Sequence, residues 1–371
     1  MIKDEMKKLV TDDLKRMSEM TVEEYTLYRK WEELNEENWT REDLQRIWEL
    51  KNSLWFPSKP DDYLLLEPQV IPVEGERNST TWNILRKCIS TAHWNQSPGR
   101  FGRFLIRDKK TMTYLGIISI GSDFISLGGR DEYIGWTMKD KMENHMLNYT
   151  CMGSSIVPTQ PLGYNYTGGK LISLFTCCDV VENYWNERYK EKLVGISTTS
   201  LYGGLSQYNR LRYWHKCSST TGQIPIEPSE DVYDKIKDWV RKDYPKDYHR
   251  MTTHANEGQI VSHTKPRILN FAYKHLGVKT IENEFSRGVY FCGLYDNFKE
   301  FLSGKDKKIG NKAFDNSVKA LTLLWKERYA KNRIDNLIKE NRVSKDSLFY
   351  DSLIGMPWED VKRKYLKEVG R

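Results

Sequence analysis

The sequence predicts a mixed α/β protein of the α+β class, with a sheet-containing core flanked by a helical region on each side. Three observations support this class. Apolar residues recur at helical spacing towards both ends of the chain, two strand-like runs joined by a short polar turn stand between them, and strand-like and helix-like segments then alternate. The 371 residues also suffice for two domains at roughly 100–200 residues each. We therefore place the boundaries at an N-terminal helical region of 1–75, a core of 76–228 and a C-terminal helical region of 229–371.

The N-terminal region is predicted to be helical because two start patterns precede apolar stripes. Thr21-Val-Glu-Glu24 is a capping box, and Thr40-Arg-Glu-Asp43 opens a second helix. The tryptophans that follow at helical spacing, Trp31 and Trp48 among them, are typical of a packed core.

The core begins with a helix and then changes to strands. A hairpin is expected because two apolar, β-branched runs flank a charged turn. In order, the predicted elements are a helix around Trp82–Ile89, strands at Phe104–Arg107, Thr113–Ile120 and Ser154–Pro158, a helix from Gly168 to about Arg188, a strand at Leu193–Ser197 and a helix from Ser206 to about Lys216.

The C-terminal region is predicted to be helical and basic. Pro266 starts a helix that Gly277 can end, and a longer helix carries Val318 to Ile338. This composition leaves two interpretations open, a DNA-reading helix and a solvated helical cap. The remaining faces of the longer helix hold Lys319, Lys326, Arg328, Lys331, Arg333 and Lys339.

Charge is distributed unevenly along the chain. Residues 1–75 hold 11 Lys/Arg and 18 Asp/Glu, whereas 76–230 hold 18 and 13, and 231–371 hold 29 and 20. The net charge of +7 therefore combines an acidic head of −7 with a basic remainder of +14. A basic body favours a polyanionic partner such as nucleic acid, although a solvated lysine-rich surface remains the alternative. The acidic head is expected either to lie against the basic body or to bind a protein partner.

Several classes of protein are not expected. No 18-residue apolar run is present, so no membrane partner is expected, and the first residues lack the apolar segment of a secretory signal. The six cysteines lack CxxC spacing, so we expect buried thiols in a reducing compartment and no metal site. The expected location is the cytoplasm.

A glycine-rich loop enters an apolar helix and is the first candidate site. Backbone N–H groups at such a loop, together with a lysine, are suited to bind an anion. A loop that only turns the chain is the alternative. The candidate cofactor-binding residues are Gln160, Gly163, Gly168, Gly169 and Lys170.

A second candidate follows the strand at Leu193–Ser197, where hydroxyl residues precede an aromatic and basic segment. Arginine and lysine bind phosphates, and tyrosine or tryptophan can stack on an unpaired base. Some of these aromatic residues must be core, and Leu211 with Tyr208 or Trp214 is the expected inward set. The candidate nucleic-acid-binding residues are Arg210, Arg212, Trp214 and Lys216.

Several motifs in the core resemble the DruA family of anti-phage proteins. More distantly they resemble the phage Mom proteins, which modify adenine in DNA and have a fold similar to the GNAT acyltransferases. The resemblance covers roughly residues 90–228 and implies a GNAT-like mixed sheet, a polynucleotide target and an acyl-CoA-type donor. It is carried by Gly116–Ile120, Arg130–Trp136, Ser154–Pro158, Trp185–Tyr189 and the segment around Tyr208.

The resemblance also implies catalytic positions. His93 followed by Trp94 stands where Mom-like proteins have a His-Tyr pair, Ser200 stands where they have an aspartate, and Tyr208 matches a tyrosine. The implied catalytic residues are thus His93, Ser200 and Tyr208.

Three functions remain open at this stage. The first is transfer of an acyl-type group to a DNA base amine in a phage or phage-defence context. The second is a non-catalytic DNA-binding component of a defence or mobile-element system, which the tryptophan and serine departures favour. The third is a small-molecule acyltransferase, which binding of coenzyme A without DNA affinity would favour. Whether the protein is an enzyme is therefore left undecided.

Overall fold

The structure is a computed structural model, and it describes most of the chain. The described ranges are 3–90, 99–159, 166–200, 206–219, 224–253, 264–283, 287–341 and 349–366. None of the described helices is both long enough and apolar enough to cross a bilayer.

The helices stand at both ends and between the strands. Short 3₁₀ turns at Pro60–Leu65, Met146–Tyr149 and Tyr350–Leu353 accompany them. The described α-helices are α1 (Lys3–Ser18), α2 (Val22–Asn35), α3 (Arg41–Asn52), α4 (Gly75–Ile89), α5 (Gly128–Ile134), α6 (Met138–Met142), α7 (Gly169–Phe175), α8 (Asp179–Tyr189), α9 (Glu230–Asp243), α10 (Pro245–Thr252), α11 (Thr264–Leu276), α12 (Phe298–Leu302), α13 (Val318–Trp325), α14 (Lys331–Lys339) and α15 (Trp358–Val361).

The strands form one large sheet and a two-stranded ribbon. In the large sheet the spatial order is β1-β2-β3-β4-β5-β9-β6, and β7 pairs with β8. The strands are β1 (Pro68–Pro72), β2 (Phe101–Asp108), β3 (Tyr114–Ser122), β4 (Thr150–Pro158), β5 (Gly195–Thr199), β6 (His215–Ser219), β7 (Ile224–Pro225), β8 (Glu282–Asn283) and β9 (Gly288–Gly293).

Neighbouring strands of the large sheet are antiparallel except for the pair β4–β5, which is parallel. The sheet is therefore mixed, and with helices on its faces it confirms the predicted α+β class. The predicted β2–β3 hairpin is also present. Asp108 closes its turn by accepting hydrogen bonds from the Thr111 backbone N–H at 2.9 Å and from its hydroxyl at 2.8 Å.

Helices cover both faces of the sheet, which explains the long apolar run of β3. On one face α4 contributes Trp82, whose indole N–H donates to the Ile118 carbonyl at 3.2 Å. On the other face α7, α8 and α13 pack against Phe104 and Ile120, and both of these residues are fully buried. A strand covered on both sides needs apolar residues at successive positions, so β3 reads as a continuous run and does not alternate.

The strands β4 and β5 separate halfway along. They pair only over Thr150–Gly153 of β4, and Ser154 is then an extra residue in the register of β4 against β3. The later part of β4 pairs with β3 alone. A bulge of this kind bends the strand and increases its twist, so the two parallel strands diverge and leave a wedge.

The sheet extends beyond the segment 76–228 that was predicted as the core. Strand β1 comes from the N-terminal region, and β9 comes from the C-terminal region and lies between β5 and β6. Pairing between strands so distant in sequence cannot be predicted from a local pattern, because only the folded structure determines which strands are neighbours.

Two of the predicted helices differ in the structure. The helix expected from Gly168 to Arg188 is divided into α7 and α8, because the backbone of Cys178 is extended, with ψ 164°. The next backbone N–H, of Asp179, donates to the Asn316 carbonyl at 2.9 Å. The prediction of a helix from Ser206 to Lys216 is wrong, because the segment forms turns that lead into strand β6. Arg210 and Tyr213 adopt φ values of +56° and +74°, which a right-handed helix excludes.

The acidic head lies against the C-terminal helices, which is one of the two arrangements expected for it. Helix α1 packs on α9 and α11 in a shared apolar cluster. Asp13 accepts hydrogen bonds from the Ser229 backbone N–H at 2.7 Å and hydroxyl at 3.0 Å. Arg29 lies 2.5 Å from Glu230 and 2.8 Å from Glu32. Lys362 of the C-terminal region lies 2.9 Å from Glu24 of the head, so part of the negative charge is neutralised within the chain.

Candidate functional site

The start of helix α7 and the segment 206–214 meet beside the wedge between β4 and β5. The Nζ of Lys170 donates to the Asn209 carbonyl at 2.5 Å and to the Gln207 carbonyl at 3.2 Å. The structure thus brings the predicted glycine loop and the predicted aromatic and basic segment together, as a common binding site requires.

Gln207 and Tyr208 fill the wedge. The Gln207 amide donates to the Ile156 carbonyl on β4 at 2.9 Å, and the Tyr208 hydroxyl lies 3.5 Å from the Thr198 hydroxyl on β5. Tyr208 is 5% exposed, and burial raises the pKa of its phenol. The ring therefore stays protonated at neutral pH and acts here as an internal hydrogen-bond partner.

Two other predicted site residues, Ser200 and Trp214, are buried in the structure. Ser200 is buried, and its Oγ accepts the Gly288 backbone N–H at 2.8 Å, so it ties β5 to β9. Trp214 is 6% exposed, and its indole N–H donates to the Ser173 carbonyl at 3.1 Å. Together with the buried Leu211, these contacts confirm the expected inward set and place the Trp214 ring in the core. His93 lies outside the described residues, as do Gln160 and Gly163.

Neighbouring side chains pack closely against the two described glycines of the loop, Gly168 and Gly169. Gly168 has φ +72°, and a Cβ added there would lie 2.7 Å from Cδ of Arg333. A Cβ at Gly169 would lie 1.8 Å from Oε1 of Gln207. Larger residues would therefore push these side chains away. An anion near this part of the loop would meet the Arg333 guanidinium before it met the backbone.

A cationic cluster surrounds Tyr329. We use this term for Lys170, Arg210, Arg212, Arg328 and Arg333. The Nζ of Lys170 lies 5.3 Å and the guanidinium carbon of Arg328 5.9 Å from the centre of the Tyr329 ring. The Tyr329 hydroxyl accepts the Arg212 backbone N–H at 2.9 Å and donates to the Arg210 carbonyl at 3.3 Å. Tyr329 therefore holds the backbone of the turn that presents these arginines.

The local backbone is unusual on both sides of that contact. Tyr329 lies in a π-helical turn, Lys326–Ala330, between α13 and α14, and Arg210 has a positive φ. Both features are energetically unfavourable and recur at functional sites.

Four members of the cationic cluster have no carboxylate partner within the part of the chain that the structure describes. Lys170, Arg210, Arg212 and Arg328 form no ion pair with a described residue. Burial, with Arg333 and Arg210 close by, lowers the pKa of Lys170 to about 8. The cations thus repel one another, and an anion would relieve that repulsion.

Comparison with known proteins places the chain in a family. The model of the family described as Druantia protein DruA matches residues 28–304, which are 277 of the 371 residues. The chain belongs to the DruA family. The family match is wider than the 90–228 expected from the motifs, and it confirms the resemblance to the DruA family.

A curated relative agrees with this assignment. The Druantia protein DruA of Escherichia coli strain UMEA 4076-1 is 24% identical over 198 aligned residues, and the match covers 48% of this chain and 48% of the relative. The chain thus aligns with about half the length of that DruA protein. No solved structure matches the chain.

The cationic cluster combines residues from inside and outside the DruA family match. Lys170, Arg210 and Arg212 lie within residues 28–304, whereas Arg328, Tyr329 and Arg333 lie beyond them. The sequence pointed to the basic faces of the last long helix but did not single out Tyr329. Its partners lie more than 100 positions away, so spacing alone could not have shown its role.

Proposed function

We propose that this chain is a DNA-binding component of a phage-defence system and that its cationic cluster contacts the phosphate backbone. Two observations carry the proposal. Tyr329 contacts Lys170, Arg328 and the backbone of the turn that carries Arg210 and Arg212. These four cations have no carboxylate partner among the described residues. Like charges held close together repel one another and destabilise a fold. A polyanion that binds them relieves this repulsion, and its binding is favoured by the release of counterions. Ser200 and Tyr208, the two implied catalytic residues that the structure describes, are both buried, which favours binding over chemistry as the function.

Removing three cluster charges should weaken DNA binding and reduce its salt dependence. In the variant Arg210→Gln/Arg212→Gln/Arg328→Gln we expect the affinity for duplex DNA at low salt to fall about 100-fold. The slope of log K against log salt should become shallower by up to ~2.7, since each neutralised phosphate contributes ~0.9. Fluorescence anisotropy over a salt series measures both quantities.

The matched control is Arg241→Gln/Arg250→Gln/Arg363→Gln, which removes the same charge. Each of these exposed arginines forms an ion pair with an aspartate three residues earlier in the chain. The control should bind within about twofold of the wild type. Equal weakening in both triple variants would show that only net charge matters, and the proposal for the cluster would then be wrong.

Acyl-type transfer to a base amine is the second candidate, and Lys170 is the observation that favours it. Its charge, together with Arg210 and Arg333, is suited to hold the phosphates of an acyl-CoA-type donor at the start of α7. Such a donor would supply the activated group. One feature argues against this candidate. Gln207 and Tyr208 fill the wedge between β4 and β5, where the rest of the donor would have to lie.

Nucleoside mass spectrometry on DNA from expressing cells separates the two candidates. Under the second candidate we expect a modified nucleoside with the wild type and none with Lys170→Met or Tyr208→Phe. Unmodified DNA from the wild type, combined with salt-dependent binding in vitro, would leave DNA binding as the function. A modified base that persists in the double variant Lys170→Met/Tyr208→Phe would exclude both residues from the reaction.

A further inference from the structure

A three-layer stack stands where the segment 206–214 enters strand β6. The imidazole of His215 stacks on the Tyr133 ring with centroids 4.0 Å apart and planes at 10°. The Nζ of Lys299 lies over the same Tyr133 ring, 3.6 Å from its centre. Because both groups sit directly over one ring, they must occupy opposite faces. Tyr133 covers one face of the His215 ring, and His215 as a whole is an exposed residue.

The stack is rigidly supported. Its members come from β6, α5 and α12, and α5 is seated closely on β6, since a Cβ at Gly129 would lie 1.7 Å from the Ser218 hydroxyl. Tyr133 also lies near Phe291 and Phe298, with centroids at 6.3 and 6.1 Å. An exposed ring that is already ordered loses little conformational entropy when it binds a partner.

The surroundings of the stack are cationic. Strand β6 is an edge strand, and Lys216 follows His215 on it. Arg210, Arg212, His215 and Lys216 are all exposed, whereas Tyr208, Leu211 and Trp214 of the same segment are buried. Exposed cationic residues therefore precede and follow the exposed His215 ring in the chain, with Lys216 directed to the other face of the edge strand.

His215 itself does not supply positive charge at neutral pH. Partial burial and the neighbouring Lys299 lower the pKa of its imidazole. The ring is therefore suited to stack on a neutral aromatic group and contributes little to phosphate attraction. Aromatic platforms flanked by lysine and arginine are the arrangement by which proteins bind single strands, whose bases expose their faces. A duplex keeps those faces stacked.

We propose that His215, supported by Tyr133 and Lys299, is a stacking platform for an unpaired base of single-stranded DNA whose backbone runs along the edge strand β6 past Arg212. This inference rests on the proposed DNA binding and specifies the form of DNA. It also replaces the sequence-based expectation that Tyr208 or Trp214 stacks on the base, since both rings are buried.

Binding of a single-stranded oligonucleotide and of the same sequence as a duplex tests the platform. We expect His215→Ala to weaken single-strand binding roughly fivefold or more, since one base–aromatic stack contributes about 1–3 kcal/mol. Duplex binding should stay within about twofold, and the salt slope should not change because no phosphate contact is lost. His215→Phe, which keeps a flat ring, should retain single-strand affinity. His249→Ala, the same change at an exposed histidine on α10, should have no effect.

Each outcome decides the inference. Unchanged single-strand binding in His215→Ala, or equal loss on both DNA forms, would overturn the platform while leaving the proposed function intact. Loss in His215→Phe as large as in His215→Ala would also overturn it, since a role of the imidazole nitrogens would then explain the effect. Wild-type protein that binds neither form of DNA would overturn the proposed function and this inference together.

Discussion

Replacing Arg130 with methionine is expected to lower the free energy of unfolding by about 3–5 kcal/mol, the cost typical of a buried charge left without its partner. The Arg130 side chain is fully buried and lies 2.5 Å from the equally buried Asp123 and 2.7 Å from Asp131. Asp123 also accepts the Ser197 hydroxyl at 2.8 Å and thereby connects the end of β3 to β5. Chemical denaturation measures the change.

Two further variants separate the charge from simple packing. Burial raises the pKa of Asp123, and Arg130 opposes that effect, so Asp123 would be an uncompensated charge in the single variant. Asp123→Asn/Arg130→Met removes both charges and should recover part of the lost stability. Arg267→Met, at an exposed position on α11, should change stability by less than about 0.5 kcal/mol. A single variant as stable as Arg267→Met would contradict the assigned role of the ion pair.

Replacing Glu182 with glutamine should lower the free energy of unfolding by about 3 kcal/mol at neutral pH, because several hydrogen bonds to a charged group are weakened at once. The Glu182 carboxylate accepts the Tyr295 hydroxyl at 2.6 Å and the Asn316 amide at 3.0 Å, and it forms an ion pair with Lys312. Glu182 is 3% exposed, so water cannot replace these partners.

This stabilisation should depend on pH with a defined sign. Burial alone would raise the pKa of Glu182, but the bonds from Lys312, Tyr295 and Asn316 lower it below its ordinary value. A carboxylate with a depressed folded-state pKa stabilises the protein above its unfolded-state pKa, and that contribution is lost as pH falls through the folded-state value. The difference between wild type and Glu182→Gln should therefore be full at pH 7 and shrink below about pH 4.3.

The control is Glu187→Gln on the same helix, where the side chain is exposed. It should match the wild type in stability across the pH range. A difference for Glu182→Gln that stayed constant from pH 7 to pH 3 would show that shape, and not charge, holds this cluster together.

The local elements of the core were largely predictable. The β2–β3 hairpin follows from two apolar runs around a charged turn, and the helices α2 and α3 start at Thr21 and Thr40 as their capping patterns indicate. These features depend on residues a few positions apart, and local backbone preferences suffice to produce them. The segment 206–216 was not predictable in this way, because Arg210 and Tyr213 take positive φ values that only surrounding contacts such as Tyr329 can maintain.

By itself the sequence determined the α+β class, the uneven distribution of charge, the motifs of the DruA family and the two segments that form the candidate site. Only the tertiary structure decided that β9 lies between β5 and β6, that Tyr329 and Arg333 reach the glycine loop, and that His215 rather than Trp214 is exposed. The physical reason is that composition and short-range spacing act along the chain, whereas burial and charge compensation depend on which distant residues the folded packing brings into contact.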